Sequence, residues 1–369
     1  MSVMKSESVE KLLRAEIAEV VGCTEPAAIA YAVQCAKRYL KRPFKPDTVR
    51  VILRLSPEVL RNASTAVVPV INRKGIKAAV TAGLLSTSTD FNLFASLKVP
   101  PAHPLLTRRS WLSVVPSMKH GIYIRALLIT PGETVTVTVK GRHDSITAIT
   151  RNGGSVYRKS RQRIPRLKGL KEIATVVKRR TTRLESIAGD FIMNQVKGDP
   201  GEPHSDSVAG LITKRMSGQP IPVVTITGSG NQGIFLGVPL CALYRKLGRR
   251  ALPAVLFSLL TQIYLSQIRK RISDTCGLAT KSAPSLAAGL AYARGENIPA
   301  ITRSMTTVYE RLKKMPCHGA KPSCGFKASH SLRCVLSTVS NPAGARKNIR
   351  GLVMALMKDA MHKKVSSAG

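Results

Sequence analysis

At 369 residues the chain can fold as one large domain or two ordinary ones, so no disulfide staple is required. Seven cysteines follow an N-terminus where Lys5, Glu7 and Glu10 stand in place of an apolar leader core, which points to free thiols in a reducing cytoplasm. The net charge of +38 exceeds what a small anionic metabolite needs; yet aromatics are only 4% of residues and Arg158 to Arg183 has almost none for base stacking, which favours a generally basic surface over nucleic-acid binding.

Val9, Leu12, Leu13, Ile17 and Val20 recur at helical spacing and predict a first helix that stops at Gly22. Thr24 as N-cap, with Glu25 and Pro26 in the first turn, predicts a second helix to about Leu40 and sets Cys23 beside its start. From Pro43 the period changes to that of strands: Val49, Ile52 and Leu55, then Ala66 to Ile71, Ile122 to Ile129 and Thr134 to Val139. Turn signals stand at Pro131-Gly132 and Asn152-Gly153-Gly154, and the strand-rich section ends near Tyr157.

Beyond Leu167 the pattern is helical. It gives Leu170 to Arg180, Leu184 to Val196, Ser207 to Met216, Ile234 to Leu247, Ala251 to Ile272, Pro284 to Arg294, Ile298 to Met315, Phe326 to Ser340 and Ile349 to His362. The run Ala251 to Ile268 is barely long enough for a bilayer of roughly 30 Å and holds Pro253, Gln262 and Gln267, so it reads as a buried helix. Ala and Gly in Ala283 to Ala293 would let helices approach closely. The expected fold is α+β: a mainly helical catalytic bundle from residues 1–45 and 165–369, with a strand-rich subdomain inserted over 46–164.

Four cysteines lie among Gly, Pro, Thr and Asp rather than in apolar runs: Cys23 in GCTEP, Cys276 in SDTCGLAT, and Cys317 and Cys324 in CHGAKPSCGF. Cys35, Cys241 and Cys334 read as ordinary core thiols. Gly319 and Pro322 bend the chain between Cys317 and Cys324, but the spacing matches no common zinc or ferredoxin motif. Taken singly, these positions also suit unliganded loop or buried thiols. At a helix N-terminus Cys23 would have its pKa lowered.

The loop Gly228 to Gly233, sequence GSGNQG, follows an apolar run and precedes a helix, so its amides suit an anion. It lacks the Lys-Ser/Thr of a phosphate-binding P-loop and the spacing of a dinucleotide fingerprint; a carboxylate fits as well, and a plain tight turn remains open. His204, Asp206, His318 and Lys321 are acid, base or carboxylate-clamp candidates that nothing local ranks. GxSxG and HExxH are both missing from the sequence, which weakens hydrolase and zinc-protease readings.

In order, GCTEPAAIAYA, TGSGNQGI, IYLSQIRKRISDTCGLAT, AAGLAYARG and CHGAKPSCGFK resemble the L-cysteine desulfidases, relatives of the iron–sulfur L-serine dehydratases, from near Lys11 to about Ser340. The resemblance implies one 4Fe-4S cluster on Cys276, Cys317 and Cys324 with one iron open, no pyridoxal phosphate, and Cys23 as the base for the α-proton. It implies that the loop Ser229, Gly230, Asn231 and Gln232 binds the substrate, and that L-cysteine is cleaved to sulfide and 2-aminoacrylate, then pyruvate and ammonia. Relatives usually carry Asp where this chain has His318. A cytoplasmic homo-oligomer with an amino-acid substrate and no membrane is expected. The alternatives are L-serine dehydration, a structural zinc on the three ligand cysteines, and an inactive basic nucleic-acid binder.

Overall fold

The computed structural model describes residues 3–43, 45, 48–69, 71–98, 103–160, 164–195, 208–269 and 271–340. The helix expected over Ile349 to His362, together with His204 and Asp206, lies outside the described residues. The chain begins with helix Ser6–Glu16, which buries Val9, Leu12 and Leu13. It does not run on to Gly22. Ile17–Val21 is a strand paired antiparallel with Pro222–Ile226, with Val20 opposite Val223 and Ile17 opposite Ile226. β-Branched side chains are stiff in a helix and gain more from β-branched partners across a strand pair, which no local window records.

Gly22 then turns the chain at φ +74° against Pro69, and helix Thr24–Arg38 starts. Its first seven residues are all buried. The helix is enclosed between helix Ile76–Leu85 and the strands Tyr123–Thr130 and Glu133–Lys140. Of the N-terminal segment assigned to the bundle from sequence, Thr24–Arg38 therefore sits on the sheet, while Ser6–Glu16 packs against Thr182–Asn194 and Leu252–Ile268.

That sheet has six strands in the order Leu112–Pro116, Arg50–Leu55, Tyr123–Thr130, Glu133–Lys140, Ile146–Arg151 and Gly154–Arg158. Only the first pair is parallel. Val51, Leu53 and Leu55 face inward with Ile52 half-buried, so the inward register of this strand is every second residue, not the 49, 52, 55 spacing. Val135, Val137 and Val139 line the buried face, with threonines between them. Asn152 and Gly153, at φ +48° and +81°, make the two-residue turn of the last hairpin. Among the described residues of Ala66 to Ile71 only Val67–Val68 is a strand; helices Pro57–Thr65 and Ile76–Leu85 flank it.

The helical part comprises Leu170–Lys178, Thr182–Asn194, Val208–Met216, Gly230–Leu247, Leu252–Ile268, Ala283–Ala293, Ile298–Leu312 and Cys324–Ser340. Leu252–Ile268 is its centre, with Leu256, Leu259 and Leu260 fully buried. The run Gly230–Ile268 is long and apolar enough to cross a membrane, but 72% of its most apolar window is buried within the protein. A Cβ on Gly289 would stand 2.7 Å from Cβ of Ser258, which fixes the close approach of Ala283–Ala293 to the central helix. The architecture is α+β.

Candidate active site

Cys23, the Gly228 to Gln232 turn, and Cys276, Cys317 and Cys324 line one cavity. The strand pair Ile17–Val21 and Pro222–Ile226 leads out at opposite ends into Gly22-Cys23 and Thr227-Gly228, and Arg215 joins the two, donating to the Gly22 carbonyl and to Asn231 Oδ1. The Thr227 amide then donates to the Glu16 carbonyl at 2.9 Å. Thr227 holds φ +52°, an uncommon state for a β-branched residue, and Gly228 follows at +79°; Ile226 and Ser229 close this tight turn by mutual backbone bonds.

Cys23 is the N-cap of helix Thr24–Arg38, one residue earlier than the expected Thr24, and its side chain makes no capping bond. Its thiol donates instead to Glu25 Oε2 at 3.1 Å. Burial pushes the Cys23 thiol well above its usual pKa and the Glu25 carboxylate adds to the rise; Arg215 opposes them. The helix start therefore does not lower this pKa as expected, because desolvation and an adjacent carboxylate outweigh the partial charge of the amides. Burial alone would raise Glu25 too, but His143, Asn62 and Cys23 hold it well below the usual carboxylate range. Asn62 Nδ2 donates to Glu25 Oε1 at 2.9 Å, Thr24 Oγ1 donates to Oε2 at 3.2 Å, and His143 Nε2 stands 3.6 Å from Oε1.

The three other cysteines come from two segments joined edge to edge. Thr275 pairs with Pro316 in an antiparallel bridge. In that register Cys276 and Cys317 are diagonal neighbours on one face, an arrangement with Cα atoms roughly 7–8 Å apart. Cys276 precedes the π-helical turn Leu278–Ser282, whose first amides, Leu278 and Ala279, favour its thiolate. Burial raises its thiol, the two amides pull it back, and Cys317 and Cys324 push it up. Cys324 opens helix Cys324–Ser340; burial raises its thiol, the Lys321 amide lowers it, and Cys317 raises it.

Among the described residues no three His, Cys, Asp or Glu side chains converge closely enough to hold a single metal ion. A mononuclear zinc needs every sulfur about 2.3 Å from one point, so the structural zinc alternative finds no support. Three cavity-lining sulfurs form an all-thiol donor set of the soft kind that iron–sulfur clusters use.

The GSGNQG turn is already engaged within the protein. Ser229 Oγ accepts from the Gln232 amide at 3.4 Å, Asn231 Oδ1 accepts from Arg215 Nη1 at 2.7 Å, and Gln232 Oε1 accepts from Gln262 Nε2 at 2.5 Å. His318 and Lys321 are exposed and do not line the cavity.

Residues 140–366 match the family described as serine dehydratase alpha chain. The chain belongs to that family. Among curated relatives, a UPF0597 protein of Caldanaerobacter subterraneus is 25% identical, over 88% of this chain and 85% of its own length. A UPF0597 protein of Kosmotoga olearia is 26% identical, over 86% and 84% respectively. A third, from Bacteroides fragilis, is 26% identical over 92% and 88%. The reaction class that goes with the serine dehydratase alpha chain family is that of a lyase.

The family match takes in Cys276, Cys317, Cys324 and the GSGNQG turn, while Cys23 and Glu25 lie before its first residue. Three residues of this serine dehydratase alpha chain relative escape a reading of its sequence. His143 comes from the hairpin turn between Glu133–Lys140 and Ile146–Arg151, is 4% exposed, and among the described residues its ring nitrogens make no hydrogen bond, Nε2 facing Glu25 at 3.6 Å. Arg215 is 3% exposed on helix Val208–Met216. Lys281 is 2% exposed, with Nζ donating to the Arg271 carbonyl at 2.7 Å, and burial lowers its pKa to about 8. A buried polar residue in an otherwise polar segment gives no local signal; only a sequence search for cations at apolar helical positions could have flagged Arg215 and Lys281.

Proposed function

We propose that the protein is a carbon–sulfur lyase that releases sulfide from L-cysteine by β-elimination. The observation that carries this reading is the meeting of Cys23 with Cys276, Cys317 and Cys324 around one cavity. Cys276, Cys317 and Cys324 would hold one 4Fe-4S cluster, which when bound supplies a Lewis-acidic iron that stabilises charge on the leaving group.

The rest of the work falls to the chain's own side chains. Cys23 takes the substrate's α-proton once its own thiol proton has left to solvent; Glu25 at 3.1 Å accepts the thiol hydrogen bond and orients the sulfur, while its lowered pKa keeps it ionised and bars it from taking that proton itself. The substrate's ammonium group would draw Cys23 back toward the thiolate by Coulomb attraction. Amides at the start of helix Gly230–Leu247, in the Ser229 to Gln232 segment, bind the carboxylate. As the Cα–H and Cβ–S bonds break, Cα=Cβ forms and the electron pair leaves with sulfur; the aminoacrylate then hydrolyses to pyruvate and ammonia. The enzyme is proposed to be a cytoplasmic homo-oligomer.

A second reading, L-serine dehydration, is favoured by the family match over residues 140–366 and needs the same four sulfurs. GCTEP favours cysteine. Anaerobic purification with iron and acid-labile sulfide analysis, followed by sulfide release from L-cysteine against pyruvate from L-serine, tests both. Brown protein releasing sulfide supports the desulfidase, and pyruvate from L-serine alone supports the dehydratase. A colourless protein that binds polynucleotide in a salt-dependent way would overturn both.

A further inference from the structure

We propose that Arg215 seats the α-carboxylate of the substrate, an inference that rests on the amino-acid lyase reading above. Arg215 lines the cavity and is 3% exposed. A buried guanidinium is costly unless an anion compensates it. Two other shielded arginines have such partners: Arg271 is held by Glu16 at 2.6 Å and Arg294 by Glu296 at 3.0 Å. Arg215 has no ion pair among the described residues; burial lowers its pKa, and the Cys23 thiol, Glu25 and the Cys324 thiol act on it only through space. Its hydrogen bonds go to neutral oxygens, Asn231 Oδ1 at 2.7 Å and the Gly22 carbonyl, and its Nε is buried with no partner. Three of its five N–H groups are therefore unused.

The second side of the seat is the start of helix Gly230–Leu247. Ser229 Oγ takes the Gln232 amide and the Ser229 carbonyl takes the Gly233 amide at 3.0 Å. The amides of Gly230 and Asn231 have no acceptor among the described residues, and both residues line the cavity. A Cβ on Gly230 would lie 2.6 Å from Arg215 Nη2 and 2.7 Å from Cζ, so glycine is what lets the guanidinium lie on the helix start. Guanidinium and two free amides together make a seat for one carboxylate. The same guanidinium binds the carbonyl of Gly22, the residue before Cys23, so a carboxylate held there brings the neighbouring Cα–H toward the Cys23 thiol.

The test uses anaerobically purified full-length protein and calorimetric binding of L-alanine, which has the carboxylate but no leaving group, against L-alaninamide, which lacks the carboxylate. Wild type should prefer L-alanine. Arg215→Gln should weaken L-alanine about 10²-fold, the size of a lost charge-assisted contact, with L-alaninamide unchanged, and Arg215→Lys should recover part of the preference. A folded Arg215→Gln that binds L-alanine as wild type does, or loses both ligands equally, overturns the seat. If Arg215→Gln does not fold, an Arg215→Lys with the wild-type preference overturns it instead. Failure of the lyase reading looks different. A wild type that shows the Arg215-dependent preference but releases neither sulfide nor pyruvate keeps the seat and removes the lyase. Turnover of L-cysteine with unchanged KM in Arg215→Gln does the reverse.

Discussion

Cys276 and Cys317 are tied to opposite sides of one short antiparallel bridge: the Cys276 amide donates to the Met315 carbonyl at 2.9 Å, and the Cys317 amide donates to the Asp274 carbonyl at 2.6 Å. Arg61 braces one side of that bridge, with Nη1 on Asp274 at 2.6 Å and Nη2 on the Ser273 carbonyl at 2.8 Å. Backbone bonds, braced by the Arg61 side chain, thus set the spacing of the two cysteines along the bridge.

On the cluster reading, Cys276→Ala, Cys317→Ala and Cys324→Ala each lose nearly all bound iron and acid-labile sulfide. Cys23→Ala keeps both and loses turnover. Iron and labile-sulfide analysis of the four variants checks the assignment, and iron lost from Cys23→Ala but retained in Cys317→Ala would reverse base and ligand.

Glu25 raises the Cys23 pKa, so Glu25→Gln should speed alkylation of Cys23 by iodoacetamide at neutral pH. The expected gain is on the order of tenfold, the effect of one pKa unit. Mass spectrometry of the Cys23 peptide reads it, and an unchanged or slower rate counts against the pairing.

The same two groups give opposite limbs to the pH dependence of stability. The folded Glu25 pKa is lowered, so its contribution is present above the unfolded value of about 4.3 and is lost as pH falls below it. The folded Cys23 pKa is raised, so its contribution is present below the unfolded value of about 8.5 and is lost as pH rises beyond it. Thermal melts from acid to alkaline pH should show Glu25→Gln flattening the acid limb and Cys23→Ala flattening the alkaline one.

Arg271 grips Glu16 with two bonds, Nη1 to Oε2 at 2.7 Å and Nη2 to Oε1 at 2.6 Å, and so ties the end of the first helix to the segment leading into Cys276. Arg271→Met leaves Glu16 buried and unpaired and should cost about 3–5 kcal/mol in urea unfolding. Adding Glu16→Leu should restore most of that loss.

Gly230→Ala forces a Cβ into the Arg215 guanidinium and to 2.8 Å from Val223 Cγ2. It should cost about 1–3 kcal/mol in urea unfolding, as overpacking of a tight site does, and should weaken L-alanine binding by displacing Arg215.

The described helices between Leu170 and Ser340 and the strands over Tyr123–Thr130 and Glu133–Lys140 were legible because their apolar periods match the faces they bury. The first strand was not: Ile17 and Val20 also fit a helix, and pairing with Val223 and Ile226 decided between them. The GSGNQG turn was legible as a turn opening a helix, but its Asn231 and Gln232 side chains proved to bind Arg215 and Gln262.

Composition and motif determined that four of the seven cysteines stand apart from core thiols, because Gly, Pro, Thr and Asp around a sulfur mark a loop or helix start whatever the tertiary context. Tertiary structure alone decided their state and company. The raised Cys23 pKa, the bridge joining Cys276 to Cys317, and the arrival of Arg215 and His143 at one cavity depend on desolvation and on contacts between segments far apart in the chain. Neither is a property of any local stretch of residues.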